Sequence, residues 1–449
     1  MAIPRVLLCC ACLSWLAVEP ARGADFSSWR WKSSIRFGGY TGTESLTGFP
    51  VEVCISENAI AGFRYNRFRS GGWKDLRFTA SDQTTELNYE VEDWNTNGTS
   101  TVWVQVPLIA SSNGYVWAFW GKSGQVAPPY TTNGVVWSNH FVGVWHLSEN
   151  PTNSAPQMID STTNRHHGTA VNMGTADRVT GRAGPALYFD GVDSRVTGGD
   201  LSLDPPRYTA EFWAHRKGSS ATWRVILGLA AANAVHMWVY DNGTIGWGDV
   251  DSPWEGKDAG WIDKLRFHHV AMVVDTAVNS QLYFDGSSKA TYSITAPDAW
   301  NSLAIGGDGN LFKGELDEVR LSDVRRSPDW IHATYLNIAS NNSFLVYAQA
   351  IGPPLVSNDG GACNVGTLSA DLRAGVTATG GVPTQLRVYW GASDGGTNPA
   401  SWGQTNNLGP VVIGTYTTTV STVANTVYAY RSCVSNASGV EWADSTAWF

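Results

Sequence analysis

Between residues 181 and 331 the sequence breaks into short apolar or alternating runs divided by glycines and Asp-Gly steps, a pattern that favours antiparallel sheet. In YTAEFWAHRK, Tyr208, Ala210, Phe212 and Ala214 share one parity and Thr209, Glu211, Trp213 and His215 the other, so the run predicts a two-faced strand. FHHVAMVVD (267–275) is apolar on both parities, as a central strand of a packed sandwich is. LYFDG (282–286) ends in an Asp-Gly turn signal. The segment opens with GRAGPALYFDGVDSRV (181–196) and closes with GELDEVRLSDVRRSPDWI (314–331). Within the closing run Ser327 is a good N-cap and Pro328 suits a first helical position, which predicts a helix whose apolar face holds Trp330, Ile331 and Tyr335 and plugs the sandwich.

At 449 residues the chain exceeds what one core usually supports, so two to four domains are expected. Its 22 Trp and 15% charged residues argue for folded, aromatic-rich β domains and against disorder. Arg5, the apolar run VLLCCACLSWLAV and the small residues Ala21 and Gly23 read as a secretory signal peptide over residues 1–23. No later run is long and apolar enough for a membrane span, so the expected location is outside the cytoplasm, secreted or at a cell surface. Cys9, Cys10 and Cys12 lie too early, and lack the context, for a lipid anchor. Without residues 1–23 the charge balance is 28 basic against 38 acidic, which disfavours nucleic acid as a partner. Of the three remaining cysteines, Cys363 and Cys433 could form a disulfide, leaving Cys54 as a thiol, or all three could stay free.

Taken in order, GRAGPALYFDGVDSRV, YTAEFWAHRK, FHHVAMVVD, LYFDG, AIGGDG and GELDEVRLSDVRRSPDWI resemble the laminin-G-like jelly roll of the concanavalin A-like lectin and glucanase superfamily, over residues 136–350. Ahead of it, residues 24–128 carry FPVEV, DLRF, the acidic run at 90–95 and VWVQVP, and are similar to a bacterial domain of unknown function numbered 2341. After it, VYWGASDGGTNPASWGQT and YAYRSCVSNASGVEWA in residues 355–449 resemble a fibronectin type III-like repeat, with Tyr428, Tyr430 and Val434 on one parity. The expected fold class is therefore all-β, tandem β-sandwiches around a central concanavalin A-like jelly roll. The jelly-roll resemblance also implies a structural Ca²⁺ near the strand after FDG and the last strand, involving Asp190 and Asp317, with Asp160 in DSTTNRHHG a weaker candidate.

Glucanases of the same superfamily place two Glu of a Glu-x-Asp-x-Glu or Glu-x-Asp-x-x-Glu strand across a sugar bond. Here the nearest run has Glu315, Asp317 and Glu318; on a regular strand Glu315 and Asp317 point away from Glu318 and Arg320, which opposes a Glu315/Glu318 pair in one cleft. The same parity rule stops His166-His167 or His268-His269 from chelating one zinc as a pair. Beyond residues 1–23, where Cys9 and Cys12 have the spacing by chance of an apolar run, no Gly-x-Ser-x-Gly, Cys-x-x-Cys or phosphate loop occurs. The most suggestive binding stretch is IGWGDVDSPWEGKDAGWID (245–263), which sets Trp247, Trp254 and Trp261 beside Asp249 and Asp251. Exposed indoles stack on the apolar face of a sugar while carboxylates bond its hydroxyls; alternatively the indoles pack inward over the sandwich edge. The expectation is a non-catalytic binding or adhesion protein for extracellular glycan or a cell-surface protein. The alternative readings are an interaction spacer without a sugar site and a glycoside hydrolase.

Overall fold

A computed structural model describes residues 24–449 apart from 202–205, 219–222, 229–235, 241, 249–261, 293–299 and 308. Its regular structure is nearly all β, arranged as three successive two-sheet sandwiches. In the first, a five-stranded sheet runs Val346–Tyr347, Trp31–Arg36, Tyr115–Trp120, Arg77–Thr79, Glu86–Leu87, and faces a three-stranded sheet of Leu46–Ile55, Ser100–Ile109 and Tyr89–Asp93. Val346–Tyr347 lies within the stretch expected to belong to the jelly roll, yet it pairs with Ile35 and Arg36 and so returns the chain to the first sandwich.

The second sandwich packs an eight-stranded sheet on a six-stranded one. Its core is the interior predicted from parity: Tyr208, Ala210, Phe212 and Ala214 of Arg207–Arg216 meet Ile226, Met237, Val239, Ile245 and Ile305 of the opposite sheet. The Asp-Gly signal forms a two-residue hairpin loop with positive φ at both Asp285 (47°) and Gly286 (70°), the twist that matches paired strands. Gly286 is needed there a second time, because a Cβ would stand 2.8 Å from the Tyr335 ring.

The other parity of Arg207–Arg216 does not face water. Trp213, with Ala271, Val273 and Tyr283 of neighbouring strands, belongs to the same apolar cluster as the first sandwich. The helix Pro328–Ala339, capped by the Ser327 hydroxyl at Trp330 N as expected, lies in this seam and not inside the jelly-roll core. Tyr335 stacks on Trp213, with ring centroids 5.8 Å apart. The plug expected from the sequence is therefore a wedge between sandwiches, because the helix's apolar residues meet Phe49 and Phe141 instead of the jelly-roll interior. Buried Asn337 completes the wedge: its side chain accepts from Glu52 N at 2.7 Å and donates to Glu52 O at 3.0 Å, as a paired strand would.

The third sandwich joins a four-stranded and a five-stranded sheet, with Tyr430 and Val434 in its core. Cys54, Cys363 and Cys433 are all free thiols; Cys363 sits in one sheet of this sandwich and Cys433 in the other. The disulfide weighed from sequence is thus not formed.

Asn337→Ala removes both bonds to Glu52 and leaves its buried N–H unpaired. The substitution is expected to lower the stability of the joined first and second sandwiches by roughly 1–3 kcal/mol, read from urea unfolding followed by Trp fluorescence.

Candidate functional site

Two regions carry chemistry: a charged layer sealed between the first two sandwiches, and the outward face of the six-stranded sheet. The layer begins with a bulge. In Lys313–Ser322, Asp317 stands opposite Trp213 and Arg320 opposite Glu211, so Glu318 and Val319 share the space across from Phe212. Glu318 takes a left-handed φ of 52°, a conformation that costs a non-glycine residue roughly 1–2 kcal/mol. Leu316, Val319 and Leu321 stay in the jelly-roll core, while Glu315, Asp317, Glu318 and Arg320 all reach the opposite face. The strict parity that separated Glu315 from Glu318 therefore fails, because one residue is inserted between them.

The first sandwich covers this face with charges of its own. Glu90 and Glu92 come from Tyr89–Asp93 and Glu52 from Leu46–Ile55; His146 joins them from the second sandwich, following Phe141–Trp145 of its eight-stranded sheet. His146 Nδ1 lies 2.6 Å from Glu318 Oε1 and 3.6 Å from Glu92 Oε2. Arg320 binds Glu318 Oε2 through Nε (2.9 Å) and Nη2 (2.5 Å), with its guanidinium over the Trp103 and Trp137 rings. The two indoles each cap one carboxylate oxygen: Trp103 Nε1 donates to Glu92 Oε2 at 2.8 Å and Trp137 Nε1 to Glu90 Oε2 at 2.6 Å. Ser161 also donates to Glu90, at 2.7 Å.

These groups split by environment. Burial opposes charge on Glu318, yet His146 and Arg320 outweigh it and hold its carboxyl below the usual range. Burial likewise disfavours the His146 imidazolium, but Glu318 and Glu92 raise its pKa well above the ordinary value. Burial pushes Glu92 and Asp317 up, helped by the neighbouring Glu318. Burial, with Glu318 nearby, pushes Glu52 up to about 8.

The candidate calcium ligands are not brought together. Asp160 Oδ1 accepts from the backbone of Val144 and Thr162, and its Oδ2 from Thr162 Oγ1 and His166 N. Asp190 Oδ1 accepts from the backbone of Val192, Asp193 and Ser194 and from the Ser194 hydroxyl; against slight burial, these bonds hold its carboxyl down at about 2. Asp317 Oδ2 accepts from Arg182 N and Ala183 N. Each is a clamp on a turn. Asp190 pairs with Lys313, four residues along the strand from Asp317. The His268-His269 pair divides by face as predicted, His268 meeting Asp285 and His269 meeting Glu211, whereas His166 and His167 lie off any strand and both contact Asp160.

On the six-stranded sheet, Met237 and Val239 enter the core, so Trp238 points outward. Gly246 stands opposite Trp238, and the indole lies directly on it where any Cβ would collide. Trp238 itself is 9% exposed; the rings of Trp223, 37% exposed, and of Tyr240 lie 6.1 and 6.4 Å from it. The backbone of Trp247 pairs with Met237 in the edge strand Ile245–Gly248. The Trp247 side chain and all of Asp249, Asp251, Trp254 and Trp261 lie outside the described residues. Sequence reading singled out Asp317 and Glu318 of the sealed layer, but neither this aromatic cluster nor Glu52, Glu90, Glu92 and His146.

Residues 190–332 match the family model described as the concanavalin A-like lectin/glucanases superfamily, and residues 72–140 match the domain of unknown function DUF2341. The middle sandwich is a concanavalin A-like domain. The comparison with curated proteins returns no match. Among solved structures, one similar chain is domain 4 of AbnA, a GH43 extracellular arabinanase from Geobacillus stearothermophilus, in complex with arabinotriose (19% identity, 43% of this chain and 96% of that chain, TM-score 0.35). Others are the binding domain of Paraclostridial Mosquitocidal Protein 1 (12%, 44% and 52%, TM-score 0.33) and Trypanosoma rangeli sialidase with the inhibitor DANA (14%, 60% and 44%, TM-score 0.36). This chain thus spans about half the length of the latter two.

Because Glu52 titrates higher when folded, the folded state holds its proton more tightly, and the stability gained is present below the ordinary carboxylate range. That contribution is lost as pH rises from about 4.5 through about 8. In EDTA-containing buffer, Glu52→Gln is therefore expected to gain stability relative to the unaltered protein steadily across that window, read from melting temperatures at pH 5, 6.5 and 8.5.

Proposed function

We propose that the chain is a secreted, non-catalytic protein that binds extracellular glycan through its concanavalin A-like sandwich, on the outward face of the six-stranded sheet. The observation that carries this reading is Trp223, 37% exposed on that face, beside Tyr240 and beside Trp238, which lies over Gly246 and is 9% exposed. Exposed Trp223 offers a sugar ring its apolar face, and we assign the hydroxyl contacts to the carboxylates Asp249 and Asp251, near Trp254 and Trp261 in the sequence. The superfamily match supports the same assignment.

The non-catalytic reading is supported by where the acids stand. Glu92 and Glu318 are sealed under both sandwiches with side chains about 1% exposed, and Glu315 is held by His215 and Lys217. Residues 1–23 carry the signal-peptide pattern that motivates secretion, and among the described residues no helix is long and apolar enough to cross a membrane. We read the third sandwich as fibronectin type III-like, a display module, from its two-sheet packing. A spacer reading has one observation in its favour: the shared core of the first two sandwiches makes them a single stiff unit.

A glycan array probed with the purified protein, with and without Ca²⁺, tests the proposal alongside Trp223→Ala and Trp254→Ala. Binding to a defined sugar that falls at least roughly tenfold in Trp223→Ala is expected, the loss of one stacking ring from a small site. Silence on every glycan by a folded protein would leave the spacer reading, and binding only with Ca²⁺ would add a calcium requirement.

A further inference from the structure

Three donor atoms of the kinds a divalent transition ion takes stand together inside the sealed layer: a carboxylate oxygen of Glu92, one of Glu318, and a ring nitrogen of His146, all within 4.8 Å of one another. Their surroundings carry the case further. The second nitrogen of His146, Nε2, has no hydrogen-bond partner and lies 3.8 Å from Glu90 Oε2, which Trp137 already holds in place. An imidazole that binds a metal through one nitrogen commonly turns the other toward a carboxylate in this way. The other two ligands are oriented from behind as well, Glu92 by the Trp103 indole and Glu318 by Arg320.

Charge makes the second argument. Glu92 Oε1, Asp317 Oδ1 and Glu52 Oε2 are buried oxygens without a hydrogen-bond partner, an arrangement that costs free energy unless a cation or a proton compensates. Five carboxylates (Glu52, Glu90, Glu92, Asp317 and Glu318) share the layer, whereas Arg320 and His146 are the cationic groups in direct contact with them.

We propose that Glu92, His146 and Glu318 bind one divalent transition ion of the Zn²⁺ class, stapling the first sandwich, which supplies Glu92, to the second, which supplies the other two. One nitrogen with two carboxylates suits Zn²⁺ or a neighbouring first-row ion, whereas Ca²⁺ takes oxygen ligands. Bonds of about 2.0–2.2 Å set neighbouring ligand atoms roughly 3–3.5 Å apart. The 3.6 Å between His146 and Glu92 is already close to that spacing, and the 2.6 Å between His146 and Glu318 opens as the shared proton gives way to the ion.

The test is metal content by mass spectrometry on the full chain expressed in zinc-supplemented medium and gel-filtered, with melting temperatures in EDTA and in added ZnCl₂. Glu92→Gln, which keeps its volume and its bond from Trp103, is measured beside it, its fold checked by circular dichroism. About one equivalent of metal in the unaltered chain, about a tenth or less in folded Glu92→Gln, and a melting temperature several degrees lower in EDTA are expected. A folded unaltered chain with less than about a tenth of an equivalent, whose melting temperature responds to neither EDTA nor Zn²⁺, would overturn the proposal whether or not the variant folds. Equal metal in the two folded chains would equally overturn it.

Discussion

The eight-stranded sheet of the second sandwich is buried on both faces, and much of the rest of the molecule follows from how its second face is covered. A sheet packed on one side only can leave its other side to water and carry any polar residue there. Here that side carries Glu211, Asp317, Glu318, Arg320 and His269, and the first sandwich lies over it. Each charge must then find a partner inside the seam, since an isolated buried charge is among the costliest groups a fold can hold. The seam answers with polar residues in kind: indole N–H groups from Trp103 and Trp137, an imidazole from His146 of the covered sheet itself, and the amide of Asn337 on the Glu52 backbone. Such a seam gains little net stability from its ion pairs, but it fixes register, because a slip of one residue would strand several charges at once.

The bulge at Glu318 shows where sequence reading ran out. Alternation correctly sorted Arg207–Arg216 into a core parity and an outer parity, the Asp285-Gly286 step announced its hairpin, and Ser327-Pro328 announced its helix. In Lys313–Ser322 the same rule misassigned everything after Asp317, because no glycine or asparagine marks the left-handed residue. A glutamate holds that conformation since His146 and Arg320 grip its carboxylate, and those contacts come from tertiary structure. Glu90 and Glu92 were illegible for a related reason. An acidic stripe on one parity looks alike whether it faces water or an opposing sandwich, and burial is decided by what the chain brings over it some 50 to 230 residues later.

The same packing constrains where a ligand can reach the middle sandwich. With the eight-stranded sheet covered by the first sandwich and the helix Pro328–Ala339, the broad approaches that remain are the outward face of the six-stranded sheet and the loops at its edge. On that face Trp223 is the more exposed indole, and Trp238 lies nearly buried beside it. The aromatic cluster follows from strand parity, and the Trp-bearing stretch 249–261 from composition. That stretch follows the edge strand Ile245–Gly248 in the sequence, whose glycine at 246 is what lets the Trp238 indole lie over the sheet. A binding surface at that edge would stand on the sheet opposite the seam, so the first sandwich could brace the middle one without obstructing its ligand.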